Sequence, residues 1–345
     1  MLYNKYRPQE FKEVIGQEHV VATVMNALEK NMLGQSIMLS GTHGTGKTTI
    51  ARLIAKQIGA ITEDIHEIDA ASNNSVEDAR KLIKSSRFAP SQQKRGSKKV
   101  YIIDEAHMYS NQAFNAMLKI IEEPPKHCVF IFCTTEPEKI LATIKSRCMS
   151  LFLRKIDTRV IADYLVDVCK KEDIEYEEEA LLMIAKKANG SMRDALSDLE
   201  LCRSRCKVTD IEERLGMIPS KAFLKILVAI KEGKVTDIML TLNEILKWHE
   251  ADKIVKGFVM FLHELLYAKG PETIVFLNNT KDVNIFLAKM FKSLGGMFCL
   301  QLLNEINRVI QYPEMSQKAI RISFELALIK AAQAMKRKNT NQAKK

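Results

Sequence analysis

The alternation of apolar and polar positions is most regular between residues 36 and 153. Five short runs rich in apolar and β-branched residues are the candidate strands: SIMLSG at 36–41, HEID at 66–69, VYIID at 100–104, CVFIFCTT at 128–135 and MSLFL at 149–153. Segments with apolar residues at helical spacing separate these runs. Strands that alternate with helices are typical of a parallel sheet covered by helices. The pattern therefore predicts an α/β domain over residues 1–156.

From residue 158 onward the pattern is helical. The segment GSMRDALSDLELC predicts a helix opened by a glycine and a serine cap. One apolar stripe farther along has helical spacing: Leu302, Leu303, Ile306, Val309 and Ile310. We predict an all-α part with a small helical domain over 157–217, called the lid below, and a second helical domain over 218–337, called the collar below, which packs on itself or on neighbouring subunits. For the basic tail at 338–345, a frayed, solvated segment is favoured over a binding element.

Composition narrows the class of protein. The 345 residues are 46% hydrophobic, which is enough for several buried cores. No charge-free apolar run approaches the roughly 18 residues of a membrane span, and the N-terminus lacks the apolar core of a signal peptide. We therefore expect a cytoplasmic protein with no membrane partner. The formal charge of +10 favours a polyanionic partner such as nucleic acid.

The seven cysteines are scattered and show no repeated C-x-x-C spacing. Disulfides and structural zinc are therefore not expected. Cys202 and Cys206 could face the same way on a helix as a metal pair, but the sequence offers no third or fourth ligand close by. Reduced core thiols are the favoured interpretation.

The segment GTHGTGKT matches the phosphate-binding pattern G-x-x-x-x-G-K-[ST] and lies between a predicted strand and a predicted helix. Its glycines allow backbone amides to approach phosphate oxygens, and the helix N-terminus adds partial positive charge. Lys47 is expected to reach the β- and γ-phosphates of ATP, and Thr48 to place its hydroxyl on Mg²⁺. The alternative is a glycine-rich turn with no ligand. The predicted nucleotide-binding residues of this segment are Gly41, Thr42, Gly44, Thr45, Gly46, Lys47, Thr48 and Thr49.

The segment VYIIDEAH predicts a buried strand that delivers Asp104 and Glu105 to its carboxyl end, where α/β sheets bind ligands. Asp104 suits magnesium coordination, directly or through water. Glu105 can then orient and polarise the attacking water. The alternative is a surface acidic pair that ends a strand. Thr134 and Thr135 end the next predicted strand, where a hydroxyl can bond water or the γ-phosphate.

Six segments, in this order, resemble the AAA+ ATPases and within them the clamp-loader branch that contains the gamma/tau subunits of bacterial DNA polymerase III. They are KYRPQEFKEVIGQEHV, GTHGTGKT, EIDAASNNSVEDAR, VYIIDEAHMYSNQAFNAMLKIIEEPP, CTTEPEKILATIKSRC and GSMRDAL. The resemblance covers roughly residues 3 to 195. It implies an ATP hydrolase with Mg²⁺ that forms a pentameric ring with other clamp-loader subunits and acts on a sliding clamp and primer-template DNA.

The resemblance also implies roles for single residues. Arg147 of the S-R-C motif matches an arginine finger that reaches the γ-phosphate bound by the adjacent subunit. Thr135 matches a sensor at the strand end, and Arg193 matches a second sensor in the helical lid, with an exposed helix residue as the alternative. The segments KYRP and VIGQ resemble those that line the adenine pocket. The candidates there are Tyr6, Arg7, Pro8 and Ile15.

Two departures from the family pattern change what is expected for zinc binding and for polymerase tethering. Bacterial members carry a four-cysteine zinc insertion after the helix that follows the phosphate loop, whereas here AKQIGAITEDIHEIDA runs straight through. We therefore expect no zinc, and a phage or divergent version is an alternative to an ordinary host subunit. The sequence also ends soon after the predicted collar and lacks the long extension of tau-type chains, so polymerase tethering is not expected.

A basic run without an acidic residue suggests where DNA binds. Between residues 79 and 99 it contains Arg80, Lys81, Lys84, Arg87, Lys94, Arg95, Lys98 and Lys99. Arg80, Lys84 and Arg87 are the predicted DNA contacts, on a helix that faces the central DNA chamber in clamp loaders. The loop PSQQKRGSKK is equally well explained as a solvated turn. With only Phe88 as an aromatic residue, backbone recognition is favoured over base stacking.

Three functions follow from these observations. The favoured one is the ATPase subunit of a sliding-clamp loader, in which ATP binding assembles the ring and opens the clamp and hydrolysis releases the clamp on DNA. A second is another DNA-acting AAA+ ATPase, such as a branch-migration enzyme. A third is a nucleotide-gated scaffold with negligible turnover.

Overall fold

Five strands form one parallel sheet in the order β2-β3-β4-β1-β5. The computed structural model describes residues 1–91, 96–218, 220–270, 281–311 and 315–343. The strands are β1 (Ser36–Gly41), β2 (Ile65–Asp69), β3 (Lys99–Asp104), β4 (Cys128–Thr134) and β5 (Met149–Leu153). Each of the five predicted strands is confirmed, with β2 and β3 beginning one residue earlier and β4 ending one residue earlier than the pattern indicated.

The alternation of side chains along the strands builds two cores, one on each face of the sheet. On β3, Val100 and Ile102 belong to one core and Tyr101 and Ile103 to the other. The first face is covered by α2 (Glu18–Glu29) and α3 (Lys47–Gln57), and the second by α4 (Val76–Ser86), α5 (Asn111–Glu122) and the short α6 (Ala142–Lys145). The α/β fold predicted from the sequence is confirmed.

The helices outside this sandwich follow in chain order. The first is α1 (Leu2–Lys5). After β5 come α7 (Thr158–Lys171), α8 (Glu178–Ala188), α9 (Met192–Leu201), α10 (Val208–Leu215), α11 (Ser220–Glu232), α12 (Val235–Leu246), α13 (Ala251–Tyr267), α14 (Lys281–Leu294), α15 (Gly296–Ile310) and α16 (Gln317–Ala343). The predicted serine cap of α9 is present, because the Ser191 hydroxyl accepts from the Asp194 amide at 3.2 Å.

The described chain divides into two compact units. The first combines residues 1–172 with 184–201, and the second combines residues 173–183 with 202–345. The second unit is helical, and its core gathers aromatic rings from three helices: Phe223, Phe258, Phe261 and Phe324. The predicted bounds of the lid and the collar stay predictions.

The structure bears on two predictions for the C-terminal half, the apolar stripe on α15 and the tail from residue 338. Of the predicted stripe on α15, Leu302, Ile306 and Val309 are buried, Leu303 packs against the same core, and the side chain of Ile310 lies outside the described residues. α16 continues into the predicted tail as far as Ala343, so this part is helical, whereas its interpretation as a solvated segment rather than a binding element stays a prediction. Residues 344–345 lie outside the described part of the chain.

Within the described ranges, no single helix has both the length and the apolar composition to cross a membrane, although the pair 283–294 and 296–309, bent by 98°, meets that test together. Both helices contribute buried side chains to the core of the second unit, such as Leu287 and Ile306. All seven cysteines are in the reduced thiol form, and six of them are buried, including Cys202 and Cys206.

Candidate nucleotide-binding site

The phosphate loop connects β1 to α3, as the sequence predicted, and close packing explains two of its glycines. A Cβ atom on Gly41 would lie 2.4 Å from the Leu153 carbonyl oxygen of the neighbouring strand. Gly44 has a φ of +69°, and a Cβ atom there would lie 1.8 Å from the Ser191 hydroxyl oxygen. Side chains at either position would push the loop away from β5 or from the start of α9.

Lys47 is the first residue of α3, and its side chain is folded back into the loop. Its Nζ donates to the carbonyl oxygens of Gly41 at 2.9 Å and Thr42 at 3.0 Å. Burial lowers the pKa of Lys47, whereas the nearby Glu105 carboxylate opposes this shift. The lysine is therefore a largely buried cation whose donors bond backbone carbonyls rather than a carboxylate.

The Thr48 hydroxyl donates to Asp104 Oδ2 at 2.8 Å. Asp104 is the last residue of β3, which pairs with β4 in the middle of the sheet, so the strand end delivers the carboxylate to the loop. The two predicted magnesium ligands are thus in contact. Oxygen donors of this kind suit a hard divalent cation, and Mg²⁺ usually takes one or two protein ligands and completes its shell with water and phosphate oxygens.

Glu105 follows directly in a left-handed backbone conformation, with φ +46°. Its Oε2 accepts from the Thr135 hydroxyl at 3.2 Å and lies 3.5 Å from His107 Nδ1. The His107 ring is almost fully buried and also approaches the carboxylate of Glu136 at 3.2 Å and the hydroxyl of Thr134 at 3.2 Å. A positive φ at a residue other than glycine is sparsely populated, and such residues cluster at functional sites.

A cavity opens beside the loop, and all of its lining residues belong to the first unit. Thirteen predicted residues line it: Tyr6, Arg7, Pro8, Ile15, Gly44, Thr45, Gly46, Lys47, Thr48, Thr49, Asp104, Glu105 and Arg193. Gly41, Thr42 and Thr135 do not line it. These three residues contact residues that do line the cavity: the carbonyls of Gly41 and Thr42 accept from Lys47, and the Thr135 hydroxyl donates to Glu105.

Sequence reasoning missed several residues of this cavity. His43, inside the phosphate loop, lies 3.3 Å from Arg193 through its Nε2 atom and the arginine Nη1. Tyr164 of α7 and Met192 and Leu196 of α9 close the apolar side. Apolar spacing marked these helices as amphipathic, but no local signal distinguished a core position from one that lines a cavity.

The N-terminal segment is fixed against α3, α9 and the end of α7 in the first unit. The Tyr6 hydroxyl donates to Glu172 Oε1 at 2.6 Å, and Lys5 forms an ion pair with the same carboxylate. Arg7 Nε donates to the Thr49 hydroxyl at 3.3 Å, and the Leu2 amide donates to Glu200 at the end of α9. The predicted adenine-pocket residues are thus connected both to α3 and to the helices that follow β5.

Arg147 is not among the residues that line the cavity. It follows α6, and about a third of its side chain is exposed, at 34%. Its guanidinium is paired with Glu122 at the end of α5. Of all the predicted catalytic residues, Arg147 alone has no contact with the phosphate loop or its neighbours in the described part of the structure.

The predicted DNA contacts lie on and after α4. Arg80, Lys84 and Arg87 are exposed and form no ion pair within the described ranges, whereas Lys81 is paired with Asp78 at 3.1 Å. Lys99 of the same basic run is only 9% exposed and donates to the Ser85 carbonyl at 3.1 Å, so it does not add to this surface. Lys94 and Arg95 lie outside the described residues.

Comparison with known proteins adds independent observations. Residues 16–157 match the family model described as DNA polymerase III, delta subunit, and residues 160–200 match the one described as DNA polymerase III clamp loader subunit, ATPase lid domain. The gamma subunit of DNA polymerase III from Buchnera aphidicola subsp. Schizaphis graminum is 36% identical, over 88% of this chain and 91% of that protein. The gamma subunit from subsp. Acyrthosiphon pisum is 32% identical, over 97% and 99%.

The tau subunit of DNA polymerase III from Bacillus subtilis is 35% identical over 96% of this chain, which spans only 63% of that longer protein. Among solved structures, the RuvB Holliday junction branch migration motor from Thermotoga maritima has a TM-score of 0.50 at 22% identity, over 66% of this chain and 80% of that one. At this identity the likeness concerns the fold alone.

Proposed function

The chain belongs to the gamma/tau family of DNA polymerase III clamp-loader subunits, and on that premise we propose that it binds and hydrolyses ATP to load a sliding clamp onto primer-template DNA. The observation that carries the proposal is the convergence of Lys47, the Thr48–Asp104 pair and the Glu105–Thr135 pair on one cavity. A scaffold without turnover would not need a carboxylate positioned beside the predicted metal ligands.

In this proposal the phosphate loop and Lys47 bind the β- and γ-phosphates. The lysine gives up its bonds to the Gly41 and Thr42 carbonyls when phosphate oxygens take their place, so no fixed salt bridge has to be broken. The N-terminal segment around Tyr6, Arg7 and Ile15 receives the base, and its contacts to Glu172 and Thr49 hold it in place.

Thr48 and Asp104 would hold Mg²⁺, because their oxygens already lie within hydrogen-bond distance of each other at the end of the loop. A bound Mg²⁺ neutralises charge on the phosphate oxygens during transfer. Glu105 accepts a hydrogen bond from the attacking water and orients it for in-line attack. Thr135 keeps the glutamate at the required place, since its hydroxyl bonds Oε2 at 3.2 Å.

We further propose that hydrolysis needs a second subunit. Arg147 has no place in the cavity of its own chain, yet an exposed guanidinium that stays charged is the group that best stabilises a transferring phosphoryl group. Supplied by a neighbour in a ring, Arg147 completes the site. Hydrolysis then depends on assembly, as a loader that must respond to clamp and DNA requires.

The α4 surface is the proposed DNA contact. Arg80, Lys84 and Arg87 lie about one helical turn apart and lack acidic partners within the described ranges, so their charges are available to phosphates. They would grip the duplex backbone without base specificity.

Steady-state ATP turnover tests the proposal. The purified chain, with its partner clamp-loader subunits, is measured with no addition, with primer-template DNA, with the cognate clamp, and with both. We expect stimulation by DNA and clamp together that exceeds the product of the two separate effects. Stimulation by DNA that is indifferent to the clamp would favour a branch-migration activity, and no turnover under any condition would favour a scaffold.

A further inference from the structure

The Arg147 side chain is held by its own chain in a defined geometry. Its Nε lies 3.2 Å from Glu122 Oε2, and its Nη2 donates to Oε1 of the same carboxylate at 3.3 Å. Its Nη1 donates to the Thr143 carbonyl oxygen at 2.9 Å, and the same atom lies 3.5 Å from the Ser146 hydroxyl, at the limit of hydrogen bonding. All three guanidinium nitrogens are thus engaged.

Glu122 stands where a carboxylate is unfavourable for the helix itself. It is the last residue of α5, where the helix dipole disfavours negative charge, and Glu123 follows it directly. The pair is also largely exposed, at 34% for Arg147 and 56% for Glu122, and exposed ion pairs contribute little to folding stability. Stabilising the fold therefore does not explain why a glutamate occupies this position.

Both ends of the pair rest on anchored backbone. The carbonyl oxygen of Ile121, next to Glu122, accepts from the buried Ser36 hydroxyl at 2.8 Å, which ties the end of α5 to the start of β1. On the other side, Ile144 of α6 is fully buried, and its carbonyl oxygen accepts from the Arg147 amide at 3.1 Å. The backbones of Glu122 and Arg147 are therefore held in place relative to each other by the core.

We infer that Glu122 is a positioning residue for Arg147, and this inference rests on the proposed role of Arg147 at the neighbouring subunit's γ-phosphate. A guanidinium has five N–H groups. One N–H on Nη2 donates to Glu122, the Nε group pairs with the other oxygen of the same carboxylate, and one N–H on Nη1 donates to Thr143. Two N–H groups therefore remain on the terminal nitrogens, one of them in the weak contact with Ser146. Two N–H groups suffice for two phosphate oxygens.

The Glu122 carboxylate thus neutralises part of the positive charge of Arg147, but it also fixes the orientation of the guanidinium before the subunits meet. Held this way, the guanidinium enters the neighbouring site without first losing the freedom of a long, flexible side chain. A carboxylate that merely competed with the γ-phosphate for Arg147 would have the opposite effect, because its removal would free the finger and raise the rate.

The test compares Glu122→Gln with Glu123→Gln in the assembled loader, using ATP turnover stimulated by DNA and clamp. Glu123 is the matched control, because it is the adjacent exposed glutamate and forms no ion pair in the described part of the chain. For Glu122→Gln we expect kcat to fall about tenfold with little change in KM, since a misplaced finger fails mainly in the transition state. Glu123→Gln should match the wild type.

The same substitution in an Arg147→Ala background separates positioning from a structural role. If Glu122 acts through Arg147, then Glu122→Gln causes no further loss in that background, and ring assembly and Tm stay unchanged. An unchanged or raised kcat for Glu122→Gln, or an equal loss in both backgrounds, would overturn the inference. If Arg147→Ala itself kept wild-type turnover, the proposed finger would fail instead.

Discussion

The nucleotide cavity and the turn that carries Arg147 both present a cation, but the two cations are held differently. Lys47 is 6% exposed and is surrounded by loop carbonyls, a threonine–aspartate pair and a glutamate of the same chain. Arg147 is 34% exposed and has one carboxylate partner at a helix end. The first region gathers all of these groups from one chain. On Arg147, two N–H groups remain on the terminal nitrogens, one of them in the weak 3.5 Å contact with Ser146, which suits the proposed site shared between subunits.

The largest effect is expected from a substitution of the buried cation in the cavity. Lys47→Ala removes the only predicted phosphate-binding cation of the loop, so we expect ATP affinity to fall by about 10²-fold and turnover by about 10³-fold. Isothermal titration and steady-state kinetics measure the two losses separately. Lys56→Ala, an exposed lysine near the end of the same helix, is the control and should bind ATP normally. Full ATP affinity in Lys47→Ala would mean that Lys47 does not bind the phosphates.

The second-largest effect is expected from a substitution of the exposed cation, Arg147. Arg147→Ala should leave ATP affinity unchanged, because the residue does not line the cavity of its own chain. Stimulated turnover should fall by about 10³- to 10⁵-fold, as for arginine fingers supplied by a neighbour. A ring that mixes this variant with a Lys47→Ala subunit tests the comparison further. Turnover should return only where a Lys47→Ala subunit supplies its intact Arg147 to the nucleotide site of a neighbouring Arg147→Ala subunit. Equal turnover for Arg147→Ala and the wild type would contradict a shared site.

The smallest effect concerns the α4 surface, which like Arg147 carries exposed cations but should act through many weak contacts. Arg80→Glu with Lys84→Glu should weaken binding to primed DNA and make the slope of log affinity against log salt less steep by about 2. The matched control is Lys30→Glu with Lys56→Glu, an equal charge change beside the helices on the other face of the sheet. A slope equal to the wild-type value would mean that DNA binds at another surface of the protein.

Local patterns in the sequence predicted most of the sheet and the centre of the site. Each strand is a short apolar run with its own boundaries, and the phosphate loop is a fixed spacing of residues, so neither needs information from distant parts of the chain. Asp104 and Thr48 met as expected because both stand where a strand or loop ends at one edge of the sheet.

Other features could not be predicted because they depend on tertiary contacts. Nothing beside Glu172 in the sequence indicates that Tyr6 and Lys5, more than 160 positions away, bond its carboxylate. Lys99 looks like its exposed basic neighbours, yet strand alternation and the Ser85 carbonyl take it inside. The partner of Arg147 was equally hidden, since Glu122 and Glu123 are identical residues and only the geometry of α5 distinguishes them.

The contact between the phosphate loop and α9 has a consequence for timing. The Met192 amide donates to the Gly44 carbonyl at 3.1 Å, directly beside the close approach of Ser191 to the same glycine. This bond must break, or α9 must move with the loop, before the loop can open. For the proposed ATPase we therefore expect the rate of ADP release, more than the strength of ATP binding, to change when a substitution weakens the contact between the loop and α9.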